Sequence, residues 1–229
     1  MTVALALFVL SEPLQSDPPR AASFATAKAN YWQASATAPS LSGSPLQNFA
    51  SEQLRKIAQK ALSDWLRETK KDQAGQKPRL TYTFDMKPTV SLNTRNLVSM
   101  YFIVSTFSAG AHPMYVYEPH TFGLVNGHPR RISAKDIFQS GANLVEVTSL
   151  PVLASLMHND RAAWVQDGTV RELTKEQVES FVVTRSGLTY LFNPYDMGPY
   201  AVGSFQVKVP FAEMKGSLNP NGPLAPLLR

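Results

Sequence analysis

Apolar and polar positions alternate in several short runs of this chain and repeat at helical spacing in one long run. From Tyr31 to Ala38, Trp32, Ala34, Ala36 and Ala38 fall on one face and Tyr31, Gln33, Ser35 and Thr37 on the other, as in a half-buried strand. Pro39-Ser40-Leu41-Ser42-Gly43 then turns the chain. A helix is predicted from Pro45 to about Thr69, with Ser44 as N-cap, Pro45 at N1 and Gln47 completing a capping box at N3. Its stripe of Leu54, Ile57, Ala58, Ala61, Leu62 and Trp65 packs a core, while Arg55, Lys56, Lys60 and Asp64 face outward. Leu80 to Met86 alternates, with Leu80, Tyr82, Phe84 and Met86 inward. Leu97 to Phe107 is apolar nearly throughout, which predicts a central strand covered on both faces.

Further strands are expected at Met114–Glu118 and Thr121–Val125, with Asn126-Gly127 as a hairpin turn and Arg130–Ile132 returning. Short helices follow: one opened by Ser133 and ending near Phe138, one over Leu144–His158 interrupted by Pro151, and one from Thr174. Thr174 and Gln177 cap the last reciprocally, and Val178 and Phe181 form its buried face. Strands at Leu188–Phe192 and Phe205–Val209 and a helix from Pro210 complete the pattern. The sum is an α+β protein, with a mixed, mainly antiparallel sheet carrying one long and several short helices. Strands are grouped rather than alternating with helices, which argues against a doubly wound nucleotide-binding fold.

At the N-terminus, Val3–Leu10 is eight apolar residues, too short to span a membrane and of the length of a signal-peptide core. It lacks a basic region before it and an A-x-A site after it, as though the chain began inside a longer signal; a buried strand is the other reading. Ser11–Arg20, with three prolines in ten residues, reads as a linker. The 229 residues, 44% apolar and 17% charged, are ample for a globular core. A net charge of +5 comes from dispersed basic residues, the densest groups being Lys70-Lys71 and Arg130-Arg131, so a nucleic-acid stripe is not expected. The absence of cysteine excludes disulfides, thiolate metal sites, thiol catalysis and cysteine-linked lipid anchors.

Chemistry is sparse. The sequence has no HExxH, no GxSxG, no P-loop and no GxGxxG, and no cofactor is expected. Among His112, His120, His128 and His158, only His112 and His120, facing each other near Glu118, approach a metal or acid–base cluster. The competing reading of His112, between Gly110 and Pro113, is a turn residue hydrogen-bonding backbone. Asp136 reads as a helix N3 residue and Asp196 as a turn former beside Asn193-Pro194. Aromatic residues remain. Tyr195 and Tyr200 bracket Gly198-Pro199, with Tyr115, Tyr117 and Phe122 in adjacent strands. Such rings suit a contact surface for sugars or protein partners. Their structural alternative, rings that lock the turn to the sheet, is the stronger for Tyr195 and an even match for Tyr200.

The run Ser108-Ala109-Gly110-Ala111-His112-Pro113, the Pro39–Gly43 turn, Ile132–Phe138 and Tyr195–Tyr200 resemble, in order and spacing, a bacterial envelope domain of uncharacterised function. That domain forms the extracellular half of the anti-sigma factor RsiV and the N-terminal part of the peptidoglycan deacetylase PdaC. Relatives commonly have Gly-Gly-Ala-His-Pro where Ala109 begins the run here, and Tyr-Glu-Ile-Ala-Pro-Tyr where Tyr195–Tyr200 stands. The resemblance implies two lobes, 21–95 and 96–229, after an export segment and linker at 1–20. It also implies an exported, periplasmic or cell-surface protein without catalysis, whose partner is cell-wall polymer or an envelope protein, lysozyme in the anti-sigma relatives. His112, Tyr195, Tyr200, Tyr115 and Tyr117 are the expected binding residues. Two rival readings remain open: a metal-dependent wall hydrolase using His112 and His120, and a structural domain of an envelope assembly.

Overall fold

A strand that the periodicity does not announce begins the described part of the chain. The computed structural model describes residues 20–29, 31–74 and 80–228, so the apolar run Val3–Leu10 and the stretch 11–19 lie outside the described residues. Arg20, read as the end of a linker, instead opens β1 (Arg20–Ala29), which pairs antiparallel with β2 (Trp32–Ser40). Along β2 the alternation holds, with Ala34, Ala36 and Ala38 buried. These small side chains let α1 (Pro45–Asp72) lie close on the sheet, burying Leu46, Ala50, Leu54, Ala58 and Leu62. Ser44 caps α1, its Oγ accepting the Gln47 N–H at 3.2 Å. The expected capping box is only half made. Gln47 sends its Nε2 to Asn93 Oδ1 at 2.8 Å instead, trading a local bond for one that ties the helix start to a distant strand end.

That strand is β3 (Tyr82–Asn93), parallel to β2, with α1 as the crossover that a parallel pair requires. Phe84 and Met86 point inward as predicted, but Leu80 precedes the strand and is 50% exposed. β4 (Leu97–Phe107), β5 (Met114–Val125) and β6 (His128–Arg131) complete a sheet in sequential order β1 to β6. β4 and β5, grouped with the second lobe in the sequence reading, therefore hydrogen-bond into the sheet of the first. β5 is one unbroken strand where two were expected. β6 pairs only with Phe122–Val125, so Pro119 sits on a free edge where a missing N–H costs no ladder bond. Asn126 and Gly127, at φ of 52° and 77°, make the predicted turn.

A second layer covers the other face of the sheet over part of its extent. It contains α2 (Ala134–Ile137), α3 (Leu144–Leu156), α4 (Ala163–Gln166), α5 (Lys175–Val178) and an antiparallel sheet of β7 (Phe181–Val183), β8 (Gly187–Phe192) and β9 (Phe205–Pro210), followed by α6 (Phe211–Met214). Pro151 does not interrupt α3, because its ring removes one N–H while the neighbouring turns keep the helix. Thr174 and Gln177 form the predicted capping box, but the helix ends at Val178 and Phe181 opens β7 rather than lining the helix. No helix among the described residues is long and apolar enough to cross a membrane.

The coverage explains why β4 is buried on both faces only in part. Leu97–Met100 and Phe102 are buried, whereas the remainder of the strand is only half covered. Ser99 marks the junction between layers: its Oγ accepts the Val183 N–H at 2.8 Å and pairs with Thr121 Oγ1 at 2.7 Å. Ser91 Oγ donates to Val183 O at 2.9 Å. Ser99→Ala strands a buried N–H and is expected to cost about 1–3 kcal/mol. For a chain of this size that lowers the thermal midpoint by about 2–4 °C per kcal/mol. An unchanged melting curve would show that the two layers do not depend on this junction.

Candidate functional site

The start of β5 and the segment after β8 meet on the face of the sheet away from α1. Phe122 belongs to the core beneath α1, so the odd-numbered Tyr115 and Tyr117 point the other way. Their hydroxyls converge on Ser204, Tyr115 at 3.2 Å and Tyr117 at 2.8 Å from its Oγ, and the Tyr115 oxygen also accepts the Ser204 N–H. Tyr101 lies edge-on to Tyr117, with centroids 5.3 Å apart, and Gln206 Nε2 reaches both hydroxyls at 3.4 and 3.3 Å. Gly203 takes φ of 75°, and a Cβ there would lie 3.3 Å from the Tyr115 hydroxyl, so glycine serves both the turn and the approach.

The loop between β8 and β9 presents the remaining rings. Asp196 Oδ2 accepts the Asn193 N–H at 2.6 Å and Asn193 O accepts the Asp196 N–H at 3.1 Å, so Asp196 forms the turn as predicted. Burial raises the Asp196 pKa above the ordinary carboxylate value, opposed by its bonds to the Asn193 N–H and the Gln177 side chain. Asn193 in turn accepts the Tyr117 N–H at 2.7 Å, fastening the loop to β5. Tyr195 follows at φ of 75°, in a region where a bulky residue is strained, and is 50% exposed. It is not a core aromatic locking the turn, which corrects the stronger of its two sequence readings. Tyr200 performs that locking. It donates its hydroxyl to Pro113 O and stacks on His112 with centroids 3.7 Å apart at 20°, while Tyr195 lies 5.6 Å away. His112 Nδ1 is 3.1 Å from the same Pro113 carbonyl, the turn bond anticipated for it. Ala109, at φ of 58°, occupies a left-handed position that suits the glycine of the relatives.

Three of these partners carry no motif. Arg161 donates to Val202 O, lies within 3.4 Å of Ser204 O, and places its guanidinium 5.2 Å from the Phe205 centroid. Ser204, Gln206 and Arg161 reach the rings from distant parts of the chain, so no local spacing marks them. The one available signal was Gly203 beside Ser204.

The histidine pair is not assembled. His120 lies six strand residues beyond the start of β5, about 20 Å along it. It is buried under α1 between Phe102 and Phe122, whereas His112 stacks in the loop before β5. The His120 ring is 3.1 Å from Glu118 Oε1, close enough to pair when charged but off axis for a hydrogen bond, and neither ring nitrogen has one. The nearby imidazole is the main influence holding the Glu118 carboxyl below its ordinary range. His158 Nδ1 meets Ala154 O at 2.9 Å, and His128 is exposed beside the hairpin turn. Among the described residues no three histidine or carboxylate side chains gather to hold a metal.

One concavity, of about 580 Å³, runs along α3 apart from the rings and is lined by Leu150, Leu153, Met157 and Arg171. Another, of about 460 Å³, lies between the β5 edge and α5, borders Tyr117 and holds Glu118, Arg131, Glu179 and Asp196.

Asp136 behaves as an N3 residue, its Oδ2 accepting the Ser133 N–H at 2.9 Å and both oxygens receiving Arg130. Burial works to raise its pKa, but Arg130 and the Ser133 bonds outweigh it and hold the carboxyl low. A carboxylate with a depressed folded pKa stabilises above its unfolded value, about 4, and loses that contribution as pH falls toward the folded value. Asp136→Asn is therefore expected to destabilise at neutral pH and to converge with the parent at acid pH. Urea midpoints measured from pH 3 to 7 check this, and a constant offset would rule it out.

The geometry defines an α+β protein of two packed cores that presents an aromatic loop over one end of its main sheet. No curated protein matches the chain. Residues 25–115 match the family model of deacetylase PdaC, and residues 135–212 match that of DUF3298, a protein of unknown function. Each match covers less than half of the chain, and both are to families to which the motifs pointed. Two solved DUF3298 structures share the fold. One, from Bacteroides fragilis, is 18% identical, with a TM-score of 0.58 over 92% of this chain and 97% of that one. The other, from Pseudomonas aeruginosa PAO1, is 16% identical, with a TM-score of 0.63 over 90% and 96%.

Proposed function

We propose that the protein is a non-catalytic binding module of the bacterial cell envelope, exported to the periplasm or cell surface, whose ligand is peptidoglycan or a wall-active protein. The observation that carries this is the exposed Tyr195, held in a strained left-handed conformation beside the Tyr200–His112 stack. Strain of about 1–3 kcal/mol persists where the surroundings enforce it, and a ring held outward this way is preorganised for contact. The PdaC-type region favours the wall as the setting, since the resemblance places such modules beside a peptidoglycan deacetylase.

Co-sedimentation of the chain with purified peptidoglycan at low and high salt tests the reading. Retention that survives high salt is the expected result, because contacts made by the net charge of +5 alone are screened. No retention, or retention at low salt only, removes the polymer as ligand and leaves wall-active proteins.

A further inference from the structure

We propose that His112 offers the ligand a hydrogen-bond acceptor, its Nε2, and so selects a ligand group that carries a donor, an amide N–H or a hydroxyl, beside an apolar face. This rests on the binding reading of the same surface. The Pro113 carbonyl is the key: a carbonyl oxygen only accepts, and its two lone pairs take two donors. One donor is the Tyr200 hydroxyl and the other is His112 Nδ1, at 3.1 Å. Nδ1 therefore holds the proton of the neutral ring, and Nε2 is left with a lone pair. Stacking on Tyr200 at 3.7 Å and 20° fixes the plane of the imidazole, so the lone pair has a set direction. Tyr195, tilted against Tyr200 with centroids 5.6 Å apart, supplies the face on which an apolar ligand surface can rest.

The same arrangement makes recognition depend on the charge of the ring. The titratable group against His112 is Tyr200, with Tyr195 beyond it, and among the described residues no ion pair reaches the imidazole. Protonation turns Nε2 from acceptor to donor, so a donor-bearing ligand loses its partner and binding falls as the ring charges.

The first measurement needs no ligand. Two-bond ¹H–¹⁵N correlations of His112 in the free, ¹⁵N-labelled chain are expected to show the Nδ1–H tautomer at high pH; an Nε2–H tautomer overturns the proposal. The second follows retention on purified peptidoglycan against pH for the parent, His112→Gln and His112→Phe. Parent retention is expected to fall with the midpoint of the His112 ring titration. His112→Gln, whose amide oxygen reaches the Nε2 position, keeps retention and loses its pH dependence. His112→Phe keeps a ring on Tyr200 and loses about three- to tenfold in affinity, the worth of one neutral hydrogen bond. Parent retention indifferent to the ring titration, or a His112→Phe variant that binds as the parent does, overturns the proposal. A parent that never binds refutes the wall-polymer reading, while the tautomer still decides the assignment of Nε2.

Discussion

Tyr200→Ala is expected to reduce salt-resistant retention on peptidoglycan at least tenfold while lowering the thermal midpoint by only a few degrees. The ring makes three contacts that no neighbour can replace: the hydroxyl bond to Pro113 O, the stack on His112 and the tilted contact with Tyr195. Truncation frees His112 from its fixed plane and lets Tyr195 relax from φ of 75°. Loss of a preorganised aromatic anchor costs about 2 kcal/mol or more in binding, and 1.4 kcal/mol is already tenfold. Stability changes little because Tyr200 is half-exposed and outside both cores. Tyr200→Phe separates the contributions, keeping both ring contacts and losing one hydrogen bond. Parent-like retention by the alanine variant would move the binding surface away from this loop.

Phe102→Ala is expected to do the reverse, costing about 3–5 kcal/mol of stability and leaving retention at low temperature intact. Phe102 is fully buried in β4 under α1, edge-on to His120 with centroids 5.6 Å apart. Its removal leaves a cavity that α1 cannot close, because Ala34, Ala36, Ala38 and Ala50 already bring helix and sheet close together. At about 2–4 °C per kcal/mol, the thermal midpoint falls by roughly 10 °C. The aromatic platform survives, since Tyr101 and Tyr117 stand on the opposite face of the same strands. A fall of less than about 3 °C would mean that the core repacks around the gap, as happens when neighbours are free to shift.

Periodicity and capping residues by themselves determined the local elements: the long helix behind Ser44, the short helix opened by Ser133, the capping box at Thr174, and the Asn126-Gly127 turn. Each depends on neighbours within about four residues, which the order of amino acids displays directly. The GAHP run, the Pro39–Gly43 turn and the Tyr195–Tyr200 segment likewise pointed to the families whose models match residues 25–115 and 135–212, and among them His112 and Tyr200 prove to be in contact. Tertiary structure alone decided the rest. Gln47 prefers Asn93 to its own cap, Phe181 joins a strand because β8 offers it a ladder, and β2 finds β3 as a parallel partner only after α1 has crossed between them. It separated His112 from His120, turned Tyr195 outward, brought Ser204 and Gln206 to the tyrosines, and set Arg161 against Phe205. These outcomes rest on contacts between residues tens of positions apart, whose free energy is shared among many packed groups and leaves no period in the chain.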